Sequence, residues 1–452
     1  MKEEDKIRVA FSGGGFRATF YSLGAFRRLV ELGLWDKVCR IDSVSGGSIT
    51  AGAIMVALTD NKFKDIEDFD ERVTKPLKKL GQSRFREKIT LPVFAFIGVV
   101  TVGYLIFVSY FKIPLFVSFI TYLLLLFYIR PTKLLSANYL FLLNVLFFKN
   151  KVMKSLSSFP EWCVNATCLN TGKRFRFKQA DFGGNKIGVT EDNDIKISFA
   201  VACSAAFPPV FAPYRLSLGG RKFYFDWWKE EKVLNQNPPA QIFLSDGGVY
   251  DNLGSENILQ EKNERNPFII IDAGQYMPQW FPNLNPNIME NTSRIIETAL
   301  DQIISLRRRI LYNVTKKSDA EKTPGIILIL GEPVKSLLEG KKYEDFGKLS
   351  DDISDKMPAY DIFSDEIDKM TADLRTDLDS FHDVEIDMLM WEGAVRMDVA
   401  VKRYLKKFLS DDKFQDVPKK PLYSIERIKD ILTKGRKVQF PLGFLHKNVE
   451  AV

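Results

Sequence analysis

Hydrophobic positions near the start of the chain follow two periods in turn. Ile7, Val9 and Phe11 recur at every second residue, the spacing of a short strand. After Gly13, Gly14 and Gly15 the period lengthens. Phe20, Leu23, Phe26 and Val30 then fall on one face of a helix, and Gly33 is placed to end it. The pattern repeats at once: Ile41 leads to Ser45-Gly46-Gly47, followed by a small, apolar segment containing Ile49, Ala51, Ala53, Ile54 and Ala57. Residues 6–60 therefore predict strand, glycine turn, helix, strand, glycine turn, helix. Strands alternating with helices argue for a parallel α/β sheet.

The pattern changes after a polar, basic stretch at 61–90. From Leu91 to Ile129 the only charged residue is Lys112. As helices, Leu91 to Phe111 would span about 31 Å and Ile113 to Ile129 about 26 Å, comparable with a hydrocarbon core of about 30 Å. With Lys112 and Pro114 as the turn, the segment predicts a membrane hairpin. Lys75, Lys78, Lys79, Arg84, Arg86 and Lys88 lie before it, and Arg130 and Lys133 after it. Positive charge on both flanks assigns the rest of the chain to the cytoplasmic side. Leu134 to Phe148 is too short to span and precedes Lys149, Lys151 and Lys154. It reads as an interfacial helix on the bilayer, or else as a helix of the globular part.

Beyond residue 160 the globular pattern resumes. Trp162 to Leu169 and Lys173 to Phe177 read as strands joined by a turn at Asn170-Thr171-Gly172. Residues 195–214 hold a small-residue helix ending at Phe207-Pro208-Pro209. Ile242 to Ser245 and Phe268 to Ile271 are apolar strands that stop at Asp246-Gly247-Gly248 and Asp272-Ala273-Gly274. A helical pattern covers 285–316, Gly325 to Leu330 reads as a strand, and 360–409 as helices before a basic tail with Lys429, Lys434, Arg436 and Lys437. The expected organisation is a split α/β domain at 1–90 and 151–335, an insertion at 91–150 and a mainly helical region at 336–452.

Composition narrows the chemistry. The 452 residues suffice for a large core, and a net charge of +7 is too small and scattered to point to nucleic acid. Cys39, Cys163, Cys168 and Cys203 have no paired spacing and no nearby histidine, so they read as reduced thiols rather than a metal site.

The first glycine turn leaves N–H groups bare at a helix start, a place that favours a phosphate or a developing oxyanion. The second, Ser43-Val44-Ser45-Gly46-Gly47, approximates the G-x-S-x-G nucleophile elbow, with serine in place of the first glycine. Ser45 then needs a base, and the chain has only two histidines, His382 and His446. A triad through His382 is one arrangement. A dyad, in which a carboxylate takes the hydroxyl proton directly, is another. Asp246 and Asp272 both end apolar strands. The two glycines after Asp246 leave room for a close neighbour, which favours it over Asp272; a structural strand-end acid is the other reading of both.

These residues together resemble the patatin-like phospholipase family. Gly13-Gly14-Gly15-Phe16-Arg17 resembles its glycine-rich oxyanion motif, Ser43 to Gly47 its elbow, and Asp246-Gly247-Gly248 its catalytic Asp-Gly motif. Asn165 to Gly172 and Ala202 to Pro209 are similar to its strand-turn and its small-residue helix ending in proline. The resemblance covers residues 6–60 and 160–275 and leaves out the hairpin and the C-terminal third. It implies a patatin-like three-layer α/β/α fold with a mainly parallel sheet, here carrying an inserted hydrophobic helical hairpin and a helical C-terminal region. It implies hydrolysis of lipid acyl esters, in which serine and backbone donors call for no cofactor or metal, and the hairpin adds the bilayer as partner and membrane phospholipids or other acyl-ester lipids as substrate. Ser45 would be the nucleophile and Asp246 the base. Gly13, Gly14, Gly15 and Gly46 would form the oxyanion hole, and Arg17 would steady the loop or meet a lipid phosphate. Two other readings stay open. One is a catalytically silent scaffold of the same fold. The other is a dinucleotide-binding domain, since Gly13-x-Gly15-x-x-Ala18 meets the loose fingerprint, although Ser45-Gly-Gly stands where that site wants an acid.

Overall fold

The computed structural model describes residues 6–225, 231–260, 266–274, 288–316, 325–339 and 357–435. Among these, twelve strands form one mixed sheet. In chain order they are β1 (Ile7–Phe11), β2 (Val38–Ser43), β3 (Glu161–Cys168), β4 (Lys173–Phe177), β5 (Phe182–Gly184), β6 (Gly188–Thr190), β7 (Tyr214–Ser217), β8 (Tyr224–Phe225), β9 (Val233–Leu234), β10 (Gln241–Asp246), β11 (Phe268–Asp272) and β12 (Gly325–Ile329). The longer helices are α1 (Gly15–Glu31), α2 (Gly46–Asp60), α3 (Phe85–Phe111), α4 (Leu115–Ile129), α5 (Pro131–Leu142), α6 (Ile197–Ser204), α7 (Ile288–Lys316), α8 (Asp365–Ala372), α9 (Asp383–Tyr404) and α10 (Ile425–Gly435).

The order β12-β11-β1-β2-β3 is parallel throughout. From β3 outward the sheet turns antiparallel through β4, β5, β6, β8 and β9, while β10 pairs with β3 and β7. Alternate residues of the parallel strands feed opposite faces. Val9, Phe11, Ile269, Ile271, Ile326 and Leu328 enter the larger core, which α1 and α9 cover. Ala10, Phe268, Ile270, Ile327 and Ile329 enter a smaller one with Leu311 of α7. Burial on both faces is why Phe268 to Ile271 shows no alternation. Strands β5 to β9 are two to four residues long, too short for a period to register in the sequence.

The C-terminal helices complete this domain. Helix α9 crosses α1 backbone to backbone. A Cβ on Gly24 would lie 1.9 Å from the Met390 carbonyl oxygen, and one on Gly393 would lie 2.2 Å from that of Tyr21. Only glycine at both positions allows this approach, and Met388, Leu389 and Val395 share the core of β1 and β11 as a result.

The apolar insertion forms the expected hairpin, turning at 112–114. Helix α3 begins at Phe85, ahead of the uncharged run, because Phe85, Ile89 and Val93 bury before the helix emerges. Beyond them the side chains face outward: Val99 is 72% exposed and Leu115 88%. The most apolar 18-residue stretch within Phe85–Phe111, and that within Leu115–Phe148, are each only 6% buried, which rules out a hairpin enclosed in a soluble core. Three hydrogen bonds hold α3 to α4: Tyr104 Oη donates to the Ser118 carbonyl at 2.6 Å and also pairs with the Thr121 hydroxyl, and the Thr101 and Tyr122 hydroxyls pair at 2.8 Å. Of the two readings of the third apolar stretch, the helix of the globular part describes its inner face. It starts at Pro131 and docks one face on the domain, burying Ser136, Tyr139 and Leu143, while Phe141, Val145 and Leu146 stay exposed. The small-residue helix also shortens, to Ile197–Ser204, because the chain leaves it for β7. Residues 285–287, Arg436, Lys437 and His446 lie outside the described residues.

Candidate active site

Strands β2 and β10 meet end to end beside β3. Ser43 pairs with Val164 in the parallel ladder, and Asp246 pairs with Ala166 in the antiparallel one. Two strands that enter from opposite directions therefore finish two β3 residues apart, and their C-terminal ends bring Ser45 and Asp246 together. Beyond β2 the chain reverses sharply into α2. Ser45 sits at the turn with φ 49° and ψ −122°, a left-handed φ rare for a residue with a side chain. Backbone strain of this kind concentrates at functional sites.

The two glycine turns pack on one another at backbone contact. A Cβ on Gly46 would fall 2.0 Å from the Gly15 carbonyl oxygen, and one on Gly47 2.7 Å from those of Phe11 and Ser12. Val44 N–H donates to the Phe11 carbonyl at 3.0 Å, and Thr19 Oγ1 donates to the carbonyls of Gly15 and Gly46 at 3.1 and 2.9 Å. Thr19 therefore staples one turn to the other. Gly14 and Gly15 adopt φ 137° and 52°, which explains the glycines there. Their N–H groups and that of Gly46, the first of α2, meet no acceptor among the described residues, as expected where two helices begin. Gly13 is a correction to the expected donor set. Its N–H is taken by the Asn252 carbonyl at 2.9 Å, so Gly13 shapes the turn and cannot bind an anion through that group.

Asp246 is 3% exposed. Its Oδ1 accepts the Gly248 N–H at 2.7 Å, while buried Oδ2 has no partner of hydrogen-bonding geometry among the described residues. Burial pushes its pKa up to about 7, opposed by the Gly248 N–H and the nearby Ser45 hydroxyl, which favour the ionised form. The segment after α6 fixes this carboxylate: Asp246 N–H donates to Ala206 O, and Gly247 N–H to Ser204 O, both at 3.1 Å. Ser204 Oγ in turn accepts the Ser45 N–H at 2.9 Å and donates to the Asn165 carbonyl at 2.7 Å. Ser43, the departure from the elbow pattern, is fully buried, and its hydroxyl receives Trp162 Nε1–H at 2.9 Å and Ser48 Oγ–H at 3.0 Å.

Arg17 lies inside the protein, 4% exposed, and donates to the carbonyls of Ala372 and Leu374 at 2.8 and 2.9 Å. Burial lowers its pKa to about 10, against the raising effect of Asp272 and Asp373. Its guanidinium thus ties the glycine turn to the segment between α8 and α9. His382 caps α9, its Nδ1 accepting the Val384 N–H at 3.1 Å while Glu385 takes the His382 N–H. Asp272 is paired with Arg308 at 2.6 Å. Thr19, Ser204 and Asn252 escaped the sequence reading. Ser204 fell within a motif quoted there but without a role. The other two carry no local pattern.

A strand-end serine and aspartate above paired glycine turns, in a mixed sheet with a parallel centre and helices on both faces, define the patatin-like α/β class. The family model for patatin-like phospholipase matches residues 9–257, over half of the chain, and the chain belongs to that family, whose members act as lipid acyl hydrolases. No curated protein matches significantly. Among solved structures, human GIVD cytosolic phospholipase A2 is similar over 90% of this chain with 11% identity and a TM-score of 0.46. Its complex with methyl gamma-linolenyl fluorophosphonate is similar with 15% identity and a TM-score of 0.44. VipD from Legionella pneumophila is similar with 12% identity and a TM-score of 0.28, covering 86% of that chain. The present chain spans 62% of the first of these phospholipase chains and 58% of the second.

Proposed function

We propose that this protein hydrolyses acyl esters of bilayer lipids with a Ser45 nucleophile and an Asp246 base. The observation that carries the reading is the junction of β2 and β10 on β3, which sets a strained serine beside a buried carboxylate titrating near neutrality. Asp246 accepts the hydroxyl proton as Ser45 Oγ attacks the ester carbonyl. The N–H groups of Gly14, Gly15 and Gly46 receive the tetrahedral oxyanion. Each such donor contributes about 3–4 kcal/mol to the transition state. The leaving alcohol takes the proton from Asp246. Water then adds to the acyl-enzyme with Asp246 again as base, and Ser45 recovers its proton as the acid departs. Arg17 acts in this reading as a brace for the glycine turn. Serine and backbone donors supply nucleophile and charge stabilisation, so the reading calls on no cofactor.

The hairpin supports a membrane substrate: two adjacent helices with outward apolar side chains and basic flanks would hold the domain against the cytoplasmic leaflet. The decisive experiment is labelling with a fluorophosphonate probe, with release of fatty acid from phospholipid vesicles measured in parallel. Wild type should label and hydrolyse. Ser45→Ala should do neither, and Asp246→Asn should lose hydrolysis while His382→Ala keeps it. Labelling that survives in Ser45→Ala overturns the nucleophile. A wild type that neither labels nor hydrolyses establishes the silent scaffold instead.

A further inference from the structure

Asn252 ends the single helical turn Gly248–Asp251 that follows Asp246, and the scheme above uses none of its side chain. Its backbone carbonyl accepts the Gly13 N–H at 2.9 Å, which fixes the residue against the first glycine turn. The residue is half-buried, and its carboxamide makes no hydrogen bond among the described residues.

Two close approaches locate the carboxamide oxygen. A Cβ on Gly13 would fall 2.2 Å from Asn252 Oδ1 and 3.1 Å from Ser45 Cβ. A Cβ on Gly248 would fall 2.6 Å from Asn252 Oδ1 and 2.9 Å from Asp246 Oδ1. One carbon atom would thus touch both Oδ1 and Ser45, and one other both Oδ1 and Asp246. Glycine at both positions keeps that space open. Asp246 Oδ1 already accepts the Gly248 N–H at 2.7 Å, so Asn252 Oδ1 is an unspent acceptor at the same place. An acceptor there serves a hydrogen-bond donor, and a lipid ester carries one only in its alcohol half. The acyl chain has none, and in the proposed reaction the carbonyl oxygen goes to the glycine N–H groups. Asp246 gives its proton to the leaving alcohol, so the alcohol half stands against Asp246, where Asn252 lies.

We infer that Asn252 Oδ1 accepts a hydrogen bond from a free hydroxyl beside the scissile ester, and so selects monoacyl glycerolipids. The inference rests on the Ser45–Asp246 reading and names the substrate class of that site. In a monoacyl glycerolipid a carbon next to the ester-bearing one carries a hydroxyl, whose proton meets Oδ1. In a diacyl lipid the same carbon carries a second ester oxygen, which sets acceptor against acceptor with no proton between them. A site that hydrogen-bonds a substrate hydroxyl rejects the analogue lacking it, because its own polar group is then left unpaired. Lysophospholipids and monoacylglycerols share this hydroxyl and differ in the phosphate.

The test compares three lipids of one acyl chain and one head group: the hydroxyl lipid, its deoxy analogue and its methyl ether. The set is run once as lysophosphatidylcholine and once as monoacylglycerol, in the same detergent micelles, with kcat/KM read from fatty-acid release. Wild type should favour the hydroxyl lipid over both analogues about tenfold, the size of one neutral hydrogen bond. The set that shows this preference tells the phosphorylated source from the neutral one. Asn252→Leu, which keeps the branched shape and the backbone carbonyl, and Asn252→Ala should each bring the ratio close to one while a fluorophosphonate still modifies Ser45. A methyl ether used as well as the hydroxyl lipid makes the side chain a donor and overturns the inference. So does a preference that survives in both variants, or a fall on all three lipids in equal proportion. Loss of Ser45 modification in both variants makes Asn252 a support of the turn and overturns it too. A wild type in which the fluorophosphonate fails to modify Ser45 overturns the dyad, and this inference with it. Modified Ser45 without a hydroxyl preference in either set overturns the inference alone.

Discussion

Burial moves the Asp246 carboxyl from the ordinary aspartate range to about 7, and as the proposed base this one group would link activity to stability. Below pH 7 it is protonated and cannot accept the Ser45 proton. The ratio kcat/KM should therefore rise through a midpoint near 7 and fall about tenfold per pH unit below 6. The sign for stability is opposite. The folded state holds this proton up to about 7 while the unfolded chain releases it near 4, so the wild type loses stability as pH rises across that window. Asp246→Asn carries no charge to bury. It should be more stable than wild type at pH 8 by about 2–4 kcal/mol, with the gap closing as pH falls toward 4. Denaturant titrations at pH 4.5 and 8 check this, and parallel pH dependences for the two proteins would contradict it. Ser43 shows a related exchange at lower stakes. The hydroxyl that departs from the elbow's glycine accepts from Trp162 and Ser48, so a residue that looked like a blemish in the motif is a fully used buried polar group.

The segment joining α8 to α9 lies across the first glycine turn. Phe16 N–H donates to the Asp377 carbonyl at 3.2 Å, and a Cβ on Gly15 would fall 1.5 Å from the Thr376 carbonyl oxygen. At its other side, Arg86 of α3 pairs with Asp377 and Asp379 at 3.1 and 3.0 Å, so one strap touches both the glycine turn and the foot of the hairpin. Arg17 holds the near end through two carbonyls. Arg17→Met should thus destabilise the protein by about 2–4 kcal/mol and speed amide exchange at residues 13–17. Its effect on hydrolysis should be the same for neutral and anionic lipids. A loss confined to anionic head groups would make Arg17 a phosphate ligand and defeat the bracing role. These contacts also mark what the sequence could convey. Ile7, Val9 and Phe11, the glycine turns and the strand ends at Ser45 and Asp246 were legible because period and turn chemistry are local. The Thr19 staple, the Ser204 acceptor for Ser45 N–H and the Asn252 carbonyl on Gly13 were not, because each is a common polar residue given meaning by a partner remote in the chain. The burial of α9 against α1 was equally hidden: Gly24 and Gly393 are informative only once they face each other.

At the scale of the whole molecule, the hairpin enters the chain between α2 and β3, after the strand that ends at the Ser45 turn and before the strand along which β2 and β10 meet. Its location was plain from composition, and its turn at 112–114 from one lysine and one proline. That it stands away from the core followed only from the exposure of residues such as Val99 and Leu115. The cross-helix bonds at Thr101–Tyr122 and Tyr104–Ser118 show α4 retracing α3, so the two ends of the hairpin return to a common level beside the domain. A short Gly-Ser linker in place of residues 94–129 therefore bridges a small gap and leaves α5, with Tyr139, docked. The shortened protein should leave membranes on carbonate washing, whereas the full chain should stay. On the proposed function, burial of the exposed apolar surface in lipid is what the linker removes, so the chemistry itself should persist. A soluble short-chain ester should be hydrolysed within about twofold of wild type, and vesicle phospholipid at least about tenfold more slowly, because the second assay alone depends on holding the site at the interface. Equal loss on both substrates would mean that the hairpin supports the fold of the site. Undiminished vesicle hydrolysis by the shortened protein would mean that the domain finds the bilayer by some other surface, for which the exposed Phe141, Val145 and Leu146 of the docked stretch are the next residues to change.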